Sequence, residues 1–600
     1  MKLKKIIGLI LCTSFMVVGA GCGNDGGGND GGGNDEQESS WKNPEPIVLT
    51  GETIRVGEDE LPYSEEEIYN QLFDINNRVE ISLDIDEEEL SKMQQDYEDY
   101  SAIGSKSPIY REASISIKIV TDTDAYVYYI DEVGVRMKGN TSRCDFFDWE
   151  YGKYNLINLK VDFRGTFATL EKLDFKWNKN DDNTYLREYY AYKMFRDNGI
   201  LAPQMNLTSM NISGVHEGVF MIYEPVDKIF IERNISEADQ GGDLYKCGWT
   251  YGPADFSYNA TIGIEDEETA EFYNYDLKTN KKSSNHEQLN RLIQGLNSGN
   301  VRKTTIEELV DIDYFLRYEA VAYCLGNPDD LRNNYNNYYI YFMASTGKMI
   351  IIPYDYDRCL GVGMDWNPNG DVMTDVNPFS NMALGMGGQQ MNPLYIYTVD
   401  RGGYFINEFA DALETVVSEG IFDYEEFEKI YNIAQSNYRT FTSPDKEFLN
   451  AAGYSFAFDI NTSEGFYSSS GNASVSEYMQ AKERAYHDYM DVVEDNSSDF
   501  LVPAYYIRGS FNGWSVDEDY LMDYNENTGE YRFVIELDGE SALKVNNGVD
   551  GQPGLWFGYE DIEEFNASGN VQTDHNGNIV LGSGEYEIIF NPESQKVIIN

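Results

Sequence analysis

Apolar and polar positions alternate along the first third of the chain. Runs at 79–83, 115–119 and 125–130 place apolar side chains at a spacing of two, the period of strands with one buried face. Residues 87–97 carry a helical pattern between them. Residues 184–196 place Leu186, Tyr189, Tyr190, Lys193 and Met194 at helical spacing, with Gly199 where a cap is expected. Runs at 207–212 and 219–223 flank Ser213-Gly214 and predict a hairpin, followed by a helix over 226–233. Residues 260–300 are polar with helical character. Residues 305–324 form a strong amphipathic helix pattern. Strand-like runs at 337–342 and 349–352 lie on either side of Thr346-Gly347, and several helices are expected from about 402 to 493. The sum is an α+β unit. After Asn496-Ser497-Ser498 the character changes. Short runs at 505–509, 531–537, 542–545, 578–581, 586–591 and 596–599, separated by turn residues, predict a small all-β sandwich.

Composition narrows the class. The 600 residues hold 45 Lys and Arg against 103 Asp and Glu, a formal net charge of −58. That field repels phosphate backbones, so a general nucleic-acid binder is excluded and no nucleic-acid partner is expected. It also disfavours electrostatic attachment to an anionic membrane. Aromatics at 14%, with 47 Tyr, argue against a disordered acidic chain. Residues 1–22 join a Lys-rich start to a short apolar run and Gly-Ala-Gly-Cys, the form of an export signal. Cys22 resembles the lipid-modified cysteine of bacterial lipoproteins, with ordinary signal cleavage as the alternative. Residues 23–40 repeat Gly, Asn and Asp without an apolar side chain and read as a tether spanning roughly 20–25 Å. The expectation is an exported chain, lipid-anchored at the outer face of a bacterial cell membrane, with the membrane met only through that lipid. Cys144, Cys247, Cys324 and Cys359 are widely spaced, and no Cys/His cluster appears, so zinc chemistry is not expected. Oxidised pairs and buried thiols are both open for these four.

Two segments carry candidate chemistry. Residues 326–341, GNPDDLRNNYNNYYIY, and 351–363, IIPYDYDRCLGVG, put acids and amides at the ends of apolar runs that a strand–turn–strand can bring together. Their oxygens are hard ligands suited to Mg²⁺, and a spare carboxylate could accept a hydroxyl proton. A polar turn with Asx caps is the alternative. Residues 133–143, VGVRMKGNTSR, form a basic island around a Gly-containing turn, a place for a phosphate. Residues 365–375 partly match a calcium loop, through Asp365, Asn367, Asn369, Gly370 and Asp371, but Val376 stands where the last acid belongs.

These segments, with NLKVDFRG (158–165), LDFKWNKNDDNTYLREYYAYKMFRDNGILAP (173–203), NISGVHEGVFMIYEPVDKIFI (211–231) and YDLKTNK (275–281), resemble the CotH kinase family in order and content. The resemblance covers about residues 65–490. It implies a divergent protein-kinase-like catalytic domain (41–498) using ATP and Mg²⁺, with Mn²⁺ as the alternative metal, to phosphorylate Ser/Thr of proteins. Carried over residue by residue, it makes Asp329 catalytic and Asp355 and Asp357 metal-binding. Asn337 is preferred over Asn333 and Asn334 as the second metal ligand. Arg136, Lys138, Asn140, Ser142 and Lys160 become candidates for the phosphates, and Glu188 or Glu224 the partner of a lysine, as the ion pair is in ordinary kinases.

Residues 503–600, with YIRGSFNGW, GEYRFVIEL and LWFGYED, resemble starch- and glycogen-binding sandwiches. That implies polysaccharide as a partner, with Trp556 and Tyr559 as stacking candidates, Trp514 more inward, and Lys544 as a hydroxyl contact. Two functions therefore stand side by side. One is an exported kinase localised by a glycan-binding-like module. The other is a non-catalytic cell-surface scaffold built on a kinase-like fold.

Overall fold

A computed structural model describes residues 43–600 apart from 140–141, 146, 149–152, 251, 299–300, 364–372, 380–391, 401–402, 445–455, 463–471, 496–503, 526–527, 548–554, 568 and 593. The export signal, Cys22, the tether, Asn140 and most of the calcium-like loop lie outside the described residues. The described residues form the expected mixture of helices and sheets around three apolar cores.

The alternating runs build the first core. Strands Ala125–Lys138, Arg111–Val120, Arg78–Asp84, Met205–Ile212, Val215–Tyr223, Leu170–Trp177 and Asn158–Phe167 hydrogen-bond in that order, and the last pairs back onto the first. The sheet thus closes as a seven-stranded barrel, which a kinase-like expectation does not contain. All neighbours are antiparallel except Arg78–Asp84 with Met205–Ile212. Closure removes the open edges of the sheet. It depends on the long strand Ala125–Lys138, which holds Arg111–Val120 along one edge and, on the other, Glu52–Arg55 near its start and Asn158–Phe167 from Gly134 onward. Inward residues such as Val135, Leu159, Leu173 and Phe175 are fully buried.

The second core gathers a smaller sheet and most of the helices. Strand Leu244–Cys247 lies between Tyr275–Leu277 and Tyr338–Phe342, with Met349–Pro353 beyond. Residues 260–300 are therefore not helical throughout: Tyr275 and Leu277 are fully buried strand residues, and the helix is confined to Glu287–Leu296. The predicted 305–324 helix is two. Lys303–Leu309 stops where Val310 bridges Met349, and Asp311 restarts the chain by capping the Tyr314 amide at 3.2 Å. Helix Ile312–Leu325 ends at Gly326, which is left-handed (φ +56°) and lies where a side chain would meet the Tyr478 hydroxyl. That turn delivers Asn327 to Asp330. Cys247, Cys324 and Cys359 are buried thiols.

The third core is the expected sandwich. Its two sheets run Tyr506–Gly509, Ser541–Asn546, Ile579–Leu581, Gln572–Thr573 and Asp523–Asn525, Glu530–Leu537, Gly584–Asn591, Lys596–Ile599, Ile562–Phe565, with Trp556–Phe557 added to the first. Leu543, Ile588, Phe590 and Val597 fill the space between them. Tyr397 and Tyr404 pack against this core and the second alike, and Arg302 meets Asp561 at 3.0 Å. Among the described residues, no helix is long and apolar enough to cross a membrane.

Candidate functional site

The site lies where the barrel faces the second sheet. In strand Leu170–Trp177 the sequence LDFKW turns Leu173, Phe175 and Trp177 inward and leaves Asp174 and Lys176 on the outer face. Lys176 Nζ meets three carboxylates: Glu188 Oε2 at 3.0 Å, Asp355 Oδ1 at 2.7 Å and Asp357 Oδ2 at 2.7 Å. Glu188 comes from the first turn of helix Arg187–Asp197 and the two aspartates follow strand Met349–Pro353. The Tyr192 hydroxyl ties these elements together, donating to Glu188 Oε1 and accepting the Asp355 amide, each at 3.0 Å. Asp355 itself is left-handed (φ +58°), a conformation that aspartate tolerates better than most residues.

Charge sets the protonation of the group. Burial pushes Asp355 up, but Lys176, its hydrogen bond, and then Arg358 and Lys138 bring it down to about 2. Burial pushes Asp357 up most strongly; Lys176 opposes it, the neighbouring Asp355 and Glu188 add to the rise, and the group stands at about 7. Asp355 still exposes 39% of its side chain, so a ligand can reach it.

Asp329 stands beside this cluster. Its Oδ1 accepts from the amides of Asn334 (2.7 Å) and Asn336 (3.0 Å), and its Oδ2 from Arg358 (3.1 Å). The same guanidinium lies 3.9 Å from Asp357. Burial raises the Asp329 carboxyl, while Arg358 and the two amides oppose the rise. Asp330, next in the chain, points the other way. It caps the short helix Leu331–Asn334 and accepts from Tyr356 at 3.3 Å. Burial pushes it up to about 8. An unfolded aspartate loses its proton near pH 4. Between about pH 4 and 8 only the folded state therefore holds this proton, so stability falls as pH rises through that window. Asp330→Asn keeps the acceptor and removes the titration. Its melting temperature is expected to match wild type near pH 4 and exceed it at pH 8, checked by thermal unfolding across pH.

The candidates from sequence separate cleanly. Glu188, Asp329, Asp355 and Asp357 come together. Lys138 and Lys160 lie nearby, both on Asp174, at 2.7 and 3.1 Å. Arg136 does not join them: its guanidinium bonds the carbonyls of Ser107 and Met137 and covers the Tyr110 ring. Ser142 accepts from Asn158 at 3.1 Å, tying its turn to the barrel. Glu224 pairs with Arg233 rather than with a lysine. Asn337 donates to the Asp329 carbonyl at 3.0 Å. Sequence reasoning missed Lys176, Arg358 and Tyr192. For Lys176 the signal was present, since two charges on one face of an otherwise buried strand call for partners.

A divalent metal fits these residues. Glu188, Asp355 and Asp357 can each offer an oxygen, all within 4.8 Å of one another. The Oδ1 atoms of Asn333 and Asn334 are buried without a hydrogen-bond partner. Hard oxygen donors with spare capacity suit Mg²⁺.

In the sandwich, Trp514 and Trp556 face each other at 6.2 Å and 56°, with the Arg508 guanidinium 4.8 Å over Trp556 and bonded to the Trp514 carbonyl. Both indoles are half-buried, and Tyr559 is 36% exposed. Lys544 donates to the Asn576 carbonyl.

Comparison with known proteins places this geometry in a family. The family model described as CotH kinase protein matches residues 135–491, more than half of the chain. The chain belongs to the CotH family. The matched CotH region begins within the barrel, at Val135, and holds the whole acid–lysine cluster with Asp329. Among curated CotH relatives, the inner spore coat protein H of Bacillus subtilis (strain 168) is 25% identical over 270 residues, 43% of this chain and 70% of that protein.

Proposed function

We propose that this CotH protein is an exported Mg²⁺–ATP-dependent kinase that phosphorylates Ser/Thr of surface or secreted proteins. The observation that carries the reading is Lys176 held by Glu188 beside Asp355 and Asp357, with Asp329 one arginine away. A strand lysine paired to a helix glutamate, near a metal-binding aspartate and a separate catalytic aspartate, is the working set of protein kinases. Its presence beside a closed barrel supports a kinase-like site on a divergent fold.

In this reading Glu188 fixes the Lys176 ammonium toward the phosphates, and Asp355 and Asp357 hold the metal with the free amide oxygen of Asn334. A bound Mg²⁺ would supply charge neutralisation at the phosphate oxygens. Asp329 accepts the proton of the Ser/Thr hydroxyl, kept in place by Asn334 and Asn336. Arg358 opposes the rise that burial imposes on the Asp329 carboxyl. Phosphoryl transfer asks for positioning and charge more than covalent chemistry, and every group here provides one of the two. Incubating the full chain with γ-labelled ATP, Mg²⁺ and a Ser/Thr-rich protein acceptor tests it. Label on the acceptor supports the kinase. Binding of ATP without any transfer, to acceptor or to the chain itself, sinks it in favour of the scaffold.

Lipid attachment at Cys22, with residues 23–40 as tether, is part of the same proposal. So is polysaccharide binding by the sandwich, supported by the half-buried Trp514–Trp556 pair. Trp556→Ala is expected to reduce retention of the full chain on insoluble starch by roughly tenfold, the worth of one aromatic stacking face. Equal retention of variant and wild type, or no retention of either, overturns it.

A further inference from the structure

Strand Leu244–Cys247 carries one cation, Lys246, in an otherwise buried YKC sequence. Register places it opposite Tyr339 on one side and Asp276 on the other. Asp276 is taken by Lys278, and the nearby Glu265 by Lys278 and Lys106, at 3.4 and 3.7 Å. Lys246 is left with no carboxylate among the described residues. Its Nζ sits 4.3 Å over the ring of Tyr354, the residue before Asp355. Lys138 lies 5.8 Å from the same ring.

A half-buried ammonium without a counter-ion is unusual in a chain with 103 acids and 45 bases. Burial weighs most on this ammonium, Lys106, Lys278 and Lys138 add repulsion, Glu265 attracts less, and the group is brought down to about 7. The Tyr354 ring offsets part of the charge. On the barrel side Lys138 and Lys160 share the single carboxylate of Asp174. Two facing walls therefore present more lysines than carboxylates, next to a cluster of three carboxylates on the single lysine Lys176. A ligand satisfying both must carry an anionic chain and a cation together.

We infer that Lys246, facing Lys138 and Lys160, forms the phosphate-binding wall of this site and takes the phosphoanhydride chain of a metal-bound nucleoside triphosphate. This rests on the nucleotide reading above and adds a second phosphate contact to the Lys176 of that reading. The site then has two poles: carboxylates for the metal and an unpaired lysine on the opposite sheet for the phosphate oxygens.

Calorimetric titration of the full chain tests it, with Mg²⁺–ATP and with adenosine as separate probes. Lys246→Met is expected to weaken Mg²⁺–ATP by roughly 10- to 100-fold, the loss of one charged hydrogen bond, and to leave adenosine unchanged. Lys246→Arg should recover most of the affinity. Unaltered thermal unfolding of both variants separates this from misfolding, and the arginine variant keeps the test decisive if the methionine variant is unstable. Equal Mg²⁺–ATP affinity in wild type and Lys246→Met, or parallel loss of adenosine and Mg²⁺–ATP binding, overturns the inference alone. Absence of Mg²⁺–ATP binding in wild type overturns the nucleotide reading with it.

Discussion

Asp329→Asn is expected to lower phosphate transfer from Mg²⁺–ATP by roughly 10²–10⁴-fold, the contribution of a positioned general base, while ATP affinity stays near wild type. The substitution preserves shape and retains the Oδ1 acceptor used by Asn334 and Asn336. It removes the charge that faces Arg358 and the oxygen that would take the hydroxyl proton. Because burial raises the Asp329 carboxyl, the acid limb of the wild-type pH–rate profile is expected above the ordinary aspartate range, and it should vanish in the variant. Initial rates of label transfer across pH, with calorimetric ATP binding, check both statements. A variant that transfers within threefold of wild type would remove Asp329 from the chemistry. Asp355→Ala should differ in kind, losing metal-dependent ATP binding as well as transfer.

Particular residues show how far the sequence could be read. Asp329, Asp355 and Asp357 were legible because acids at the ends of apolar runs need a purpose, and the family resemblance supplied one. Glu188 and Glu224 could not be told apart by spacing. The fold separates them by giving Glu224 its own arginine, nine residues on, and by directing Glu188 at Lys176. Lys176 is encoded in LDFKW, but recognising it requires the outer face of that strand to be covered, which is a tertiary fact. Barrel closure was equally hidden. A period of two assigns faces to a strand and says nothing of its partners, and here one strand of 14 residues serves three partners. The break at Val310–Asp311 was missed because the apolar spacing continues through it. A bridge to Met349 and an aspartate cap override that local pattern. Six of the sandwich's ten strands were legible, since they are consecutive in sequence and bounded by turn residues; Asp523–Asn525, Trp556–Phe557, Ile562–Phe565 and Gln572–Thr573 are too short to show an alternation.

Breaking the buried pair of Arg332 and Glu319 is expected to cost about 3–5 kcal/mol of stability. Their side chains expose 2% and 0%. Glu319 also accepts from the Tyr395 hydroxyl at 2.5 Å, and Arg332 donates to the Pro378 carbonyl at 2.8 Å. Arg332→Met leaves a fully buried carboxylate with the Tyr395 hydroxyl but without its cation, and Glu319→Leu leaves a buried guanidinium without its anion. Each single change strands a charge that cannot reach water. The double variant strands neither, so it should lose far less than the sum of the singles, giving a coupling of about 2 kcal/mol or more. Chemical denaturation of the three variants and wild type measures the cycle. Additive losses, or singles costing under about 1 kcal/mol, would mean that water reaches the pair. The consequence extends to the site, because Arg332 belongs to the short helix Leu331–Asn334 that carries Asn334 to Asp329. The double variant, if folded, should still bind Mg²⁺–ATP but transfer phosphate more slowly than wild type, since methionine cannot hold the 377–378 carbonyls that Arg332 fastens to that helix.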